Sequence, residues 1–278
     1  MNNLRKNILI VGIDSEIGFN LAKNLNVIGP YNLVGTTRKR NNSKADQLGF
    51  LKAKWHLDLE SLECDIPENN FHAIVVCAGI TSQKVCSDQP EWSYRINVEN
   101  TIKLMTSHLS ENTQLIFLSS VAVFDGNKSF YTYTDSPAPK SIYGQQKLLV
   151  ERYIQENLHN SAILRLTKVL SDESPFIRNW REAIKNEQPI RAFTNRYISP
   201  VDIESVCSGI NQIIELESYG LFQLGGQIEL SYLDFAKEYF FEQPYVIARM
   251  EAVEDLNDFG AGFNSLATHL PKNHVSEY

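Results

Sequence analysis

Short, uninterrupted apolar runs recur along the chain, closed by glycine, serine, threonine or charge, with longer stretches of helical periodicity between them. The runs NILIVG (7–12), YNLVGTT (31–37), AIVVCAG (73–79), QLIFLSS (114–120) and SAILRLT (161–167) are short and rich in β-branched residues. Continuous rather than alternating hydrophobicity suits strands covered on both faces. Apolar residues three and four apart predict helices over EIGFNLAKNL (16–25), from about Trp92 to His108, and over YGQQKLLVERYIQE (143–156). Strand and helix in alternation predict right-handed βαβ units and an α/β fold with a doubly wound parallel sheet. Past residue 168 the rhythm loosens: helices are expected at 175–186, 201–214 and 231–241, and strand candidates become short. This pattern predicts a first domain over 1–167, completed by part of 197–225, and a smaller substrate-binding lobe over 168–278 laid across the carboxyl edge of the sheet.

Charge and cysteine usage narrow the partners. The 278 residues carry a formal net charge of -7, so no generalised basic field exists for nucleic acid or anionic lipid, and any phosphate must be held locally. Cys64, Cys77, Cys86 and Cys207 form no C-x-x-C pair and have no histidine at metal spacing, so no metal site and no disulfide framework are expected. The N-terminal apolar run is too short for a signal peptide, and no segment approaches the ~18 apolar residues of a membrane span, so a soluble cytoplasmic protein is expected.

The loop G12-I-D-S-E-I-G18 follows the first strand and opens the first helix, which is where a diphosphate meets a helix N-terminus. Gly12 and Gly18 keep two of the three glycines that such a loop uses for its turn and its close packing. Ser15 stands at the third position, where its hydroxyl can either donate to a phosphate oxygen or cap the helix. Asp14 and Glu16 would repel phosphate if they pointed inward, yet their backbone N–H groups remain usable. At the end of the second strand, where NAD enzymes place an acidic residue, the chain reads Thr37, Arg38, Lys39, Arg40. Three cations there fit a 2′-phosphate, so NADP(H) is expected over NAD(H); a solvated basic turn is the alternative.

In SIYGQQKLLVE, Tyr143 and Lys147 stand four apart at the start of a helix and share a face. A phenol is a poor acid–base catalyst at neutral pH unless its anion is stabilised, and an ammonium one turn away together with a helix N-terminus supplies that stabilisation. The pair follows QLIFLSS, whose Ser119 and Ser120 end a buried strand facing the same cleft.

Together these features resemble the extended short-chain dehydrogenase/reductase family, with its Rossmann-type fold, and particularly its dTDP-4-dehydrorhamnose reductase-like members. The likeness runs over nearly the whole chain: the loop G12-x-x-S-x-x-G18, Asp58-Leu59, CAG (77–79), YRINVENT (94–101), LSSVAVFDG (118–126), TDSPAPKSIYGQQK (134–147), ILRLTKV (163–169) and RYISP (196–200). It implies that Ser120 bonds the substrate carbonyl oxygen, that Tyr143 donates the proton, and that Lys147 holds the nicotinamide ribose while lowering the pKa of Tyr143. Asn97 matches the family's helix-bending asparagine, which supports the lysine's water network. Gly12, Ser15, Glu16, Ile17 and Gly18 would carry the diphosphate, with Thr37, Arg38 and Lys39 beside the adenosine ribose. Asp58 and Leu59 would flank the adenine, Ala78 and Gly79 the ribose side, and Thr167 and Val169 the nicotinamide. Thr81, Arg196 and Arg178 would meet substrate, with Arg191 a further candidate. Asn97 as a helix cap, Asp58 as a turn residue and Val169 as plain core are the structural alternatives.

Departures from the family narrow the reaction. Its dehydratases follow the catalytic Ser or Thr with Asp-Glu, whereas Ser120 is followed by Val121 and Ala122. Its epimerases mostly pair retained NAD with an acidic residue after the second strand, unlike Thr37 and Arg38. What the resemblance implies is an NADP-dependent reductase of a keto group on a nucleotide-linked deoxysugar. The alternatives are a sugar-nucleotide epimerase with retained cofactor and a non-catalytic NADP-binding regulatory protein. Homodimers are frequent in that family.

Overall fold

The computed structural model describes residues 5–67, 71–171, 174–254 and 262–272. In chain order its strands are β1 (Lys6–Val11), β2 (Tyr31–Thr37), β3 (Ala53–Asp58), β4 (Glu63–Cys64), β5 (Ala73–Val76), β6 (Gln114–Ser120), β7 (Ser161–Leu166), β8 (Val169–Leu170), β9 (Arg191–Phe193), β10 (Tyr197–Ile198), β11 (Val201–Asp202), β12 (Gly220–Leu224), β13 (Leu230–Ser231) and β14 (Glu251–Val253). The helices are α1 (Glu16–Ile28), α2 (Gln83–Asp88), α3 (Pro90–Tyr94), α4 (Thr101–His108), α5 (Ile142–Asn157), α6 (Pro175–Lys185), α7 (Ile203–Glu215), α8 (Tyr232–Tyr239) and α9 (Pro244–Ile247).

Eight strands form one sheet in the order β12-β7-β6-β5-β1-β2-β3-β4. Every pairing in it is parallel except β3 with the short β4. The strand order runs one way from β1 through β2 and the other way from β5, so the reversal falls between β1 and β5, and the crevice at their carboxyl ends is where ligands of such sheets bind. Both faces are covered. Leu21, Ala22 and Leu25 of α1 join Val206, Ile210, Ile213 and Ile214 of α7 over Ile8, Ile10, Leu33 and Val75 on one face. Leu104 and Met105 of α4 and Val150 and Ile154 of α5 cover Leu9, Val11, Ile74 and Phe117 on the other. Trp180, Ile190, Ile198, Phe235 and Phe240 form a separate small core in the C-terminal half.

Three strands of the sheet are not evident as apolar runs, the two-residue β4 among them. β3, AKWHLD, is only partly buried and mixes polar with apolar residues. β12, GLFQL, carries Gln223, yet that side chain is wholly buried and donates to the carbonyls of Tyr131 and Ala267. The helix expected from Trp92 to His108 is also interrupted: between α3 and α4 the backbone widens into a π-turn over Arg95–Asn100. Segment 262–272 is laid across the body by bridges from Gly262 to Arg196, Leu266 to Tyr131 and His269 to Gln223. Among the described residues no helix is long and apolar enough to cross a membrane, and no group of three or more His, Cys, Asp or Glu is placed to hold a metal.

Candidate active site

At the carboxyl end of β1 the chain turns at Gly12, whose φ of +82° is strained for any residue with a Cβ. A Cβ there would lie 2.8 Å from that of Ala78, at the end of the neighbouring strand. The turn is pinned by Gly12 N–H donating to Thr36 Oγ1 at 3.0 Å and Ile13 N–H to the Thr36 carbonyl at 2.9 Å. Ser15 caps α1, its Oγ accepting from Gly18 N–H at 3.0 Å. Of the two roles open to Ser15, the cap is therefore filled, and the hydroxyl proton remains to donate. Ile17 packs partly buried against the sheet core. A cradle that a single Cβ would fill, with α1 rising from it, fits the diphosphate of a dinucleotide.

The loop's acidic residues differ in their surroundings. Asp14 is turned toward the segment after β2, where it accepts from Thr37 Oγ1 at 2.6 Å, from Ser43 Oγ and from Ala45 N–H at 2.9 Å. Burial alone would raise its pKa, but the bonds from Ser43, Thr37 and Ala45 and the field of Lys39 outweigh it and hold the carboxyl below its usual range. A depressed folded-state pKa contributes stability that is complete above the ordinary value of 3.8 and is lost as pH falls through the lower folded-state value. Asp14→Asn should therefore flatten the acid limb of Tm below about pH 4, as thermal melts would read. Glu16 lies in the first turn of α1, where the helix dipole favours an anion.

At the end of β2, Thr37 is buried and is spent on Asp14 and on accepting from Lys39 N–H. Arg38, Lys39 and Arg40 are exposed, and Arg40 is engaged with Asp65 at 2.9 Å. Asp58 accepts from Glu60 N–H at 2.9 Å, the geometry of a turn, and Leu59 is buried among the core residues. Ala78 and Gly79 line the crevice opposite Gly12, Thr81 is exposed beyond them, and Asn97 braces this loop. Asn97 Oδ1 accepts from Ile80 N–H at 2.7 Å, while Nδ2 donates to the Ile80 carbonyl at 3.0 Å and to Gln146 Oε1 at 2.8 Å. Its link to α5 thus runs through Gln146, the residue before Lys147, and Asn97 itself lies in the π-turn.

The helix carrying Tyr143 and Lys147 begins at Ser141, whose Oγ accepts from Gly144 N–H at 3.1 Å. Gly144 is needed for close approach: a Cβ would meet the Ala122 carbonyl oxygen at 2.0 Å. That approach sets Tyr143 against the end of β6. The hydroxyl of Ser120 bonds the Tyr143 phenol and also accepts from Ala122 N–H at 3.2 Å. Ser119, one residue earlier and so on the other face of the strand, donates to Glu151. Lys147 donates to the Leu118 carbonyl at 2.8 Å and lies 5.9 Å from the Tyr143 ring.

Burial pushes the Tyr143 phenol up to about 12, and the bond from Ser120 offsets only part of that. Burial also lowers Lys147 to about 8, against the opposing pull of Glu151.

Thr167 is buried just after β7, and its Oγ1 has no hydrogen-bond partner among the described residues. Val169 is half-buried, pairs with Val201 and packs on the core. Lys168 stands between the two halves, its Nζ 5.3 Å over the Phe176 ring, and burial lowers its pKa against the pull of Glu16. Arg196 is half-buried, with its guanidinium 5.5 Å over the Phe193 ring and its carbonyl accepting from Tyr232 N–H at 3.0 Å. Arg178 is exposed on α6, and Arg191 is exposed and faces Glu251 at 3.6 Å on the β9–β14 edge. Gln146, Glu151, Arg165 and Lys168 were not singled out from the sequence. The available signal was position: Glu151 lies one turn beyond Lys147 on the same face.

Comparison with known proteins agrees with this geometry. Residues 6–257 match the family described as RmlD substrate binding domain. The methionine adenosyltransferase 2 subunit beta of Rattus norvegicus is 30% identical over 161 residues, 58% of this chain and 46% of that one, so the match spans about half the length of this relative. Among solved structures, dTDP-4-dehydrorhamnose reductase from Bacillus anthracis in complex with NADP superposes with a TM-score of 0.75 at 20% identity, covering 96% of this chain and 91% of that one. A dTDP-glucose 4,6-dehydratase from Streptomyces venezuelae with NAD bound gives 0.78 at 16% identity, covering 94% and 88%. At those identities the two structures show the fold, a Rossmann-type sheet, and the match along 6–257 shows the kinship: the chain belongs to the RmlD substrate-binding-domain family.

Proposed function

We propose that the protein is an NADP-dependent reductase of a keto group on a nucleotide-linked deoxysugar. The observation that carries this reading is the Tyr143 phenol, held protonated by burial against Ser120 at the carboxyl end of the sheet. A phenol at about 12 is a full proton donor at neutral pH and is still far more acidic than the alcohol it would form. Its environment therefore suits an acid in the reductive direction.

The nicotinamide cofactor, when bound, supplies the hydride. Ser120 would bond the substrate carbonyl oxygen and Tyr143 would pass its proton to that oxygen as the alkoxide forms, the phenol regaining a proton from solvent. Lys147 would hold the nicotinamide ribose from the next turn of the helix, with Asn97 and Gln146 fixing that turn. The backbone from Gly12 to Gly18, with Ser15, Glu16 and Ile17, would carry the diphosphate. Asp58 and Leu59 would flank the adenine, Ala78 and Gly79 the ribose, and Thr167 and Val169 the nicotinamide. Arg38 and Lys39 would take the 2′-phosphate, Asp14 being tied to Ser43 and Ala45 instead. Arg196, Thr81 and Arg178 would meet the substrate in the lobe after residue 168.

The test is NADPH oxidation against dTDP-, UDP- and GDP-linked 4-keto-6-deoxyhexoses, with turnover on at least one expected. Arg38→Ala should weaken NADPH about tenfold and leave NADH unchanged, because only NADPH has the 2′-phosphate; equal affinity for both cofactors before and after the change would overturn the NADP assignment. A second reading, a regulatory cofactor-binding protein, is favoured by the match to a subunit of methionine adenosyltransferase. Silence across the panel with NADPH still bound would favour it.

A further inference from the structure

The small apolar cluster next to Ser120 draws one of its members from a distant part of the chain. Val121 and Val123 follow Ser120, Leu148 follows Lys147, and Phe124 and Tyr131 complete the wall, whereas Leu266, 1% exposed, comes from segment 262–272. Leu266 is held in register from both sides. Tyr131 N–H donates to the Ser265 carbonyl at 3.1 Å, and Ala267 N–H donates to the Tyr131 carbonyl at 2.8 Å. Gln223 locks that bracket: its Nε2 donates to the carbonyls of Tyr131 at 2.9 Å and Ala267 at 3.2 Å, and its backbone exchanges bonds of 2.9 and 2.8 Å with His269. On the other flank Phe263 N–H donates to the Gly126 carbonyl at 3.0 Å, and the Glu229 carboxylate accepts from both Asn264 N–H and Ser129.

Phe130 shows that this docking is imposed on the loop. Its φ of +51° is unfavourable for an aromatic residue, and its ring is 40% exposed, so little packing compensates the strain. Its N–H donates at 2.5 Å to Ser265 Oγ, on a serine that is wholly buried. Tyr131, the next residue, stacks on Phe124 with centroids 4.3 Å apart, which carries the constraint into the cluster. The turn Val121–Val123 also bears on α5, at the close approach of Gly144 to the Ala122 carbonyl. That turn therefore touches both the helix of Tyr143 and Lys147 and the side chain of Leu266. Close-packed contacts of this kind transmit displacement instead of absorbing it.

We propose that Leu266 is a positioning residue of the candidate site: seated against Val121, Val123 and Leu148, it fixes the turn after Ser120 against the helix that carries Tyr143 and Lys147. Segment 262–272 is then a working part of the site. A polar path joins the same segment to α5, from Gln223 Oε1 to Arg165 Nη1 at 3.4 Å and from Arg165 Nη2 to the Glu151 carboxylate at 2.7 Å, and it keeps the bracket around Leu266 in place. The proposal rests on Ser120, Tyr143 and Lys147 being the centre of the proposed reductase, but the first readout of its test needs neither cofactor nor substrate.

The measurement is amide hydrogen exchange, read by mass spectrometry on peptides 119–124 and 141–149 and referred in each variant to the β1 peptide, 6–11, so that a global loss of stability cancels. Leu266→Ala should speed exchange in both peptides by about tenfold or more relative to β1. Leu266→Met, which conserves volume, should restore the wild-type ratios. Ile213→Ala empties a comparable space at the amino end of the sheet, where Gln114 donates to the Ile213 carbonyl; it should lower Tm and leave the ratios unmoved. If Leu266→Ala does not fold, Leu266→Val, which removes less, is read in the same way. Unmoved ratios in a folded Leu266→Ala or Leu266→Val overturn the proposal, and so do ratios that move equally in Ile213→Ala. In turnover, Leu266→Ala should lower kcat about tenfold while KM for NADPH changes less than about twofold, with Leu266→Met restoring kcat; an unchanged kcat overturns the proposal as well. If the exchange pattern holds while the wild-type protein is silent across the sugar-nucleotide panel, the reductase reading fails and the hold of Leu266 on the turn after Ser120 stands.

Discussion

Tyr143→Phe should lower kcat by about 10³-fold while changing NADPH affinity less than about twofold. The ring of Tyr143 is 8% exposed and packed at the start of α5. Phenylalanine fills that space and removes one oxygen, so the fold and the cofactor cradle at Gly12 are preserved. What disappears is the phenol proposed as proton donor, and with it the contact to Ser120. A pH profile adds a second check. The phenol at about 12 stays protonated across the accessible range, so the alkaline fall of wild-type kcat should follow Lys147 near 8 and not Tyr143. Retention of most activity by Tyr143→Phe would remove Tyr143 from the mechanism and leave the reductase reading without its acid.

Much of the fold was legible because buried parallel strands announce themselves as continuous apolar runs. β1, β2, β5, β6 and β7 all lie within runs visible in the sequence. β12 was not, because Gln223 breaks the run, and its burial makes sense only once the carbonyls of Tyr131 and Ala267 and the guanidinium of Arg165 surround it. β3 hid for another reason: it is partly exposed and its pattern is mixed. The candidate site divides along the same line. Gly12 and the spacing of Tyr143 to Lys147 are local, and local patterns survive in a sequence. The raised phenol of Tyr143 is not local, since it results from how much protein closes over that ring. Ile80 and Gln146, which bond Asn97, and Ser119 and Arg165, which bond Glu151, lie 14 to 49 residues away along the chain, and no spacing rule reaches across that distance. The acidic neighbours in the phosphate loop show the same limit. Asp14 reads as a repulsive charge until Ser43 and Ala45, about 30 residues on, are seen to hold it.

Gly12→Ala should lower the affinity for NADPH by at least about tenfold and reduce stability by about 2–5 kcal/mol, the sum of a left-handed backbone cost and an overpacking cost. The two penalties are separable. The φ of +82° is unfavourable for alanine wherever the methyl points. The methyl would also lie 2.8 Å from the Ala78 Cβ and 2.9 Å from its backbone. Contact with backbone cannot be relieved by a rotamer change, so the end of β5 and the end of β1 must move apart at the point where the sheet order reverses. Adding Ala78→Gly removes the Cβ contact and leaves both the backbone contact and the φ strain, so the double variant should recover part of the lost Tm but not all of it. The cofactor effect should follow the displacement of the loop: Gly12 N–H would leave Thr36, and Ser15 and Gly18 would shift with it. Fluorescence titration with NADPH and thermal melts on the same samples read the two effects separately. A Gly12→Ala protein that is destabilised but binds NADPH as wild type does would show that the cradle carries no cofactor phosphate.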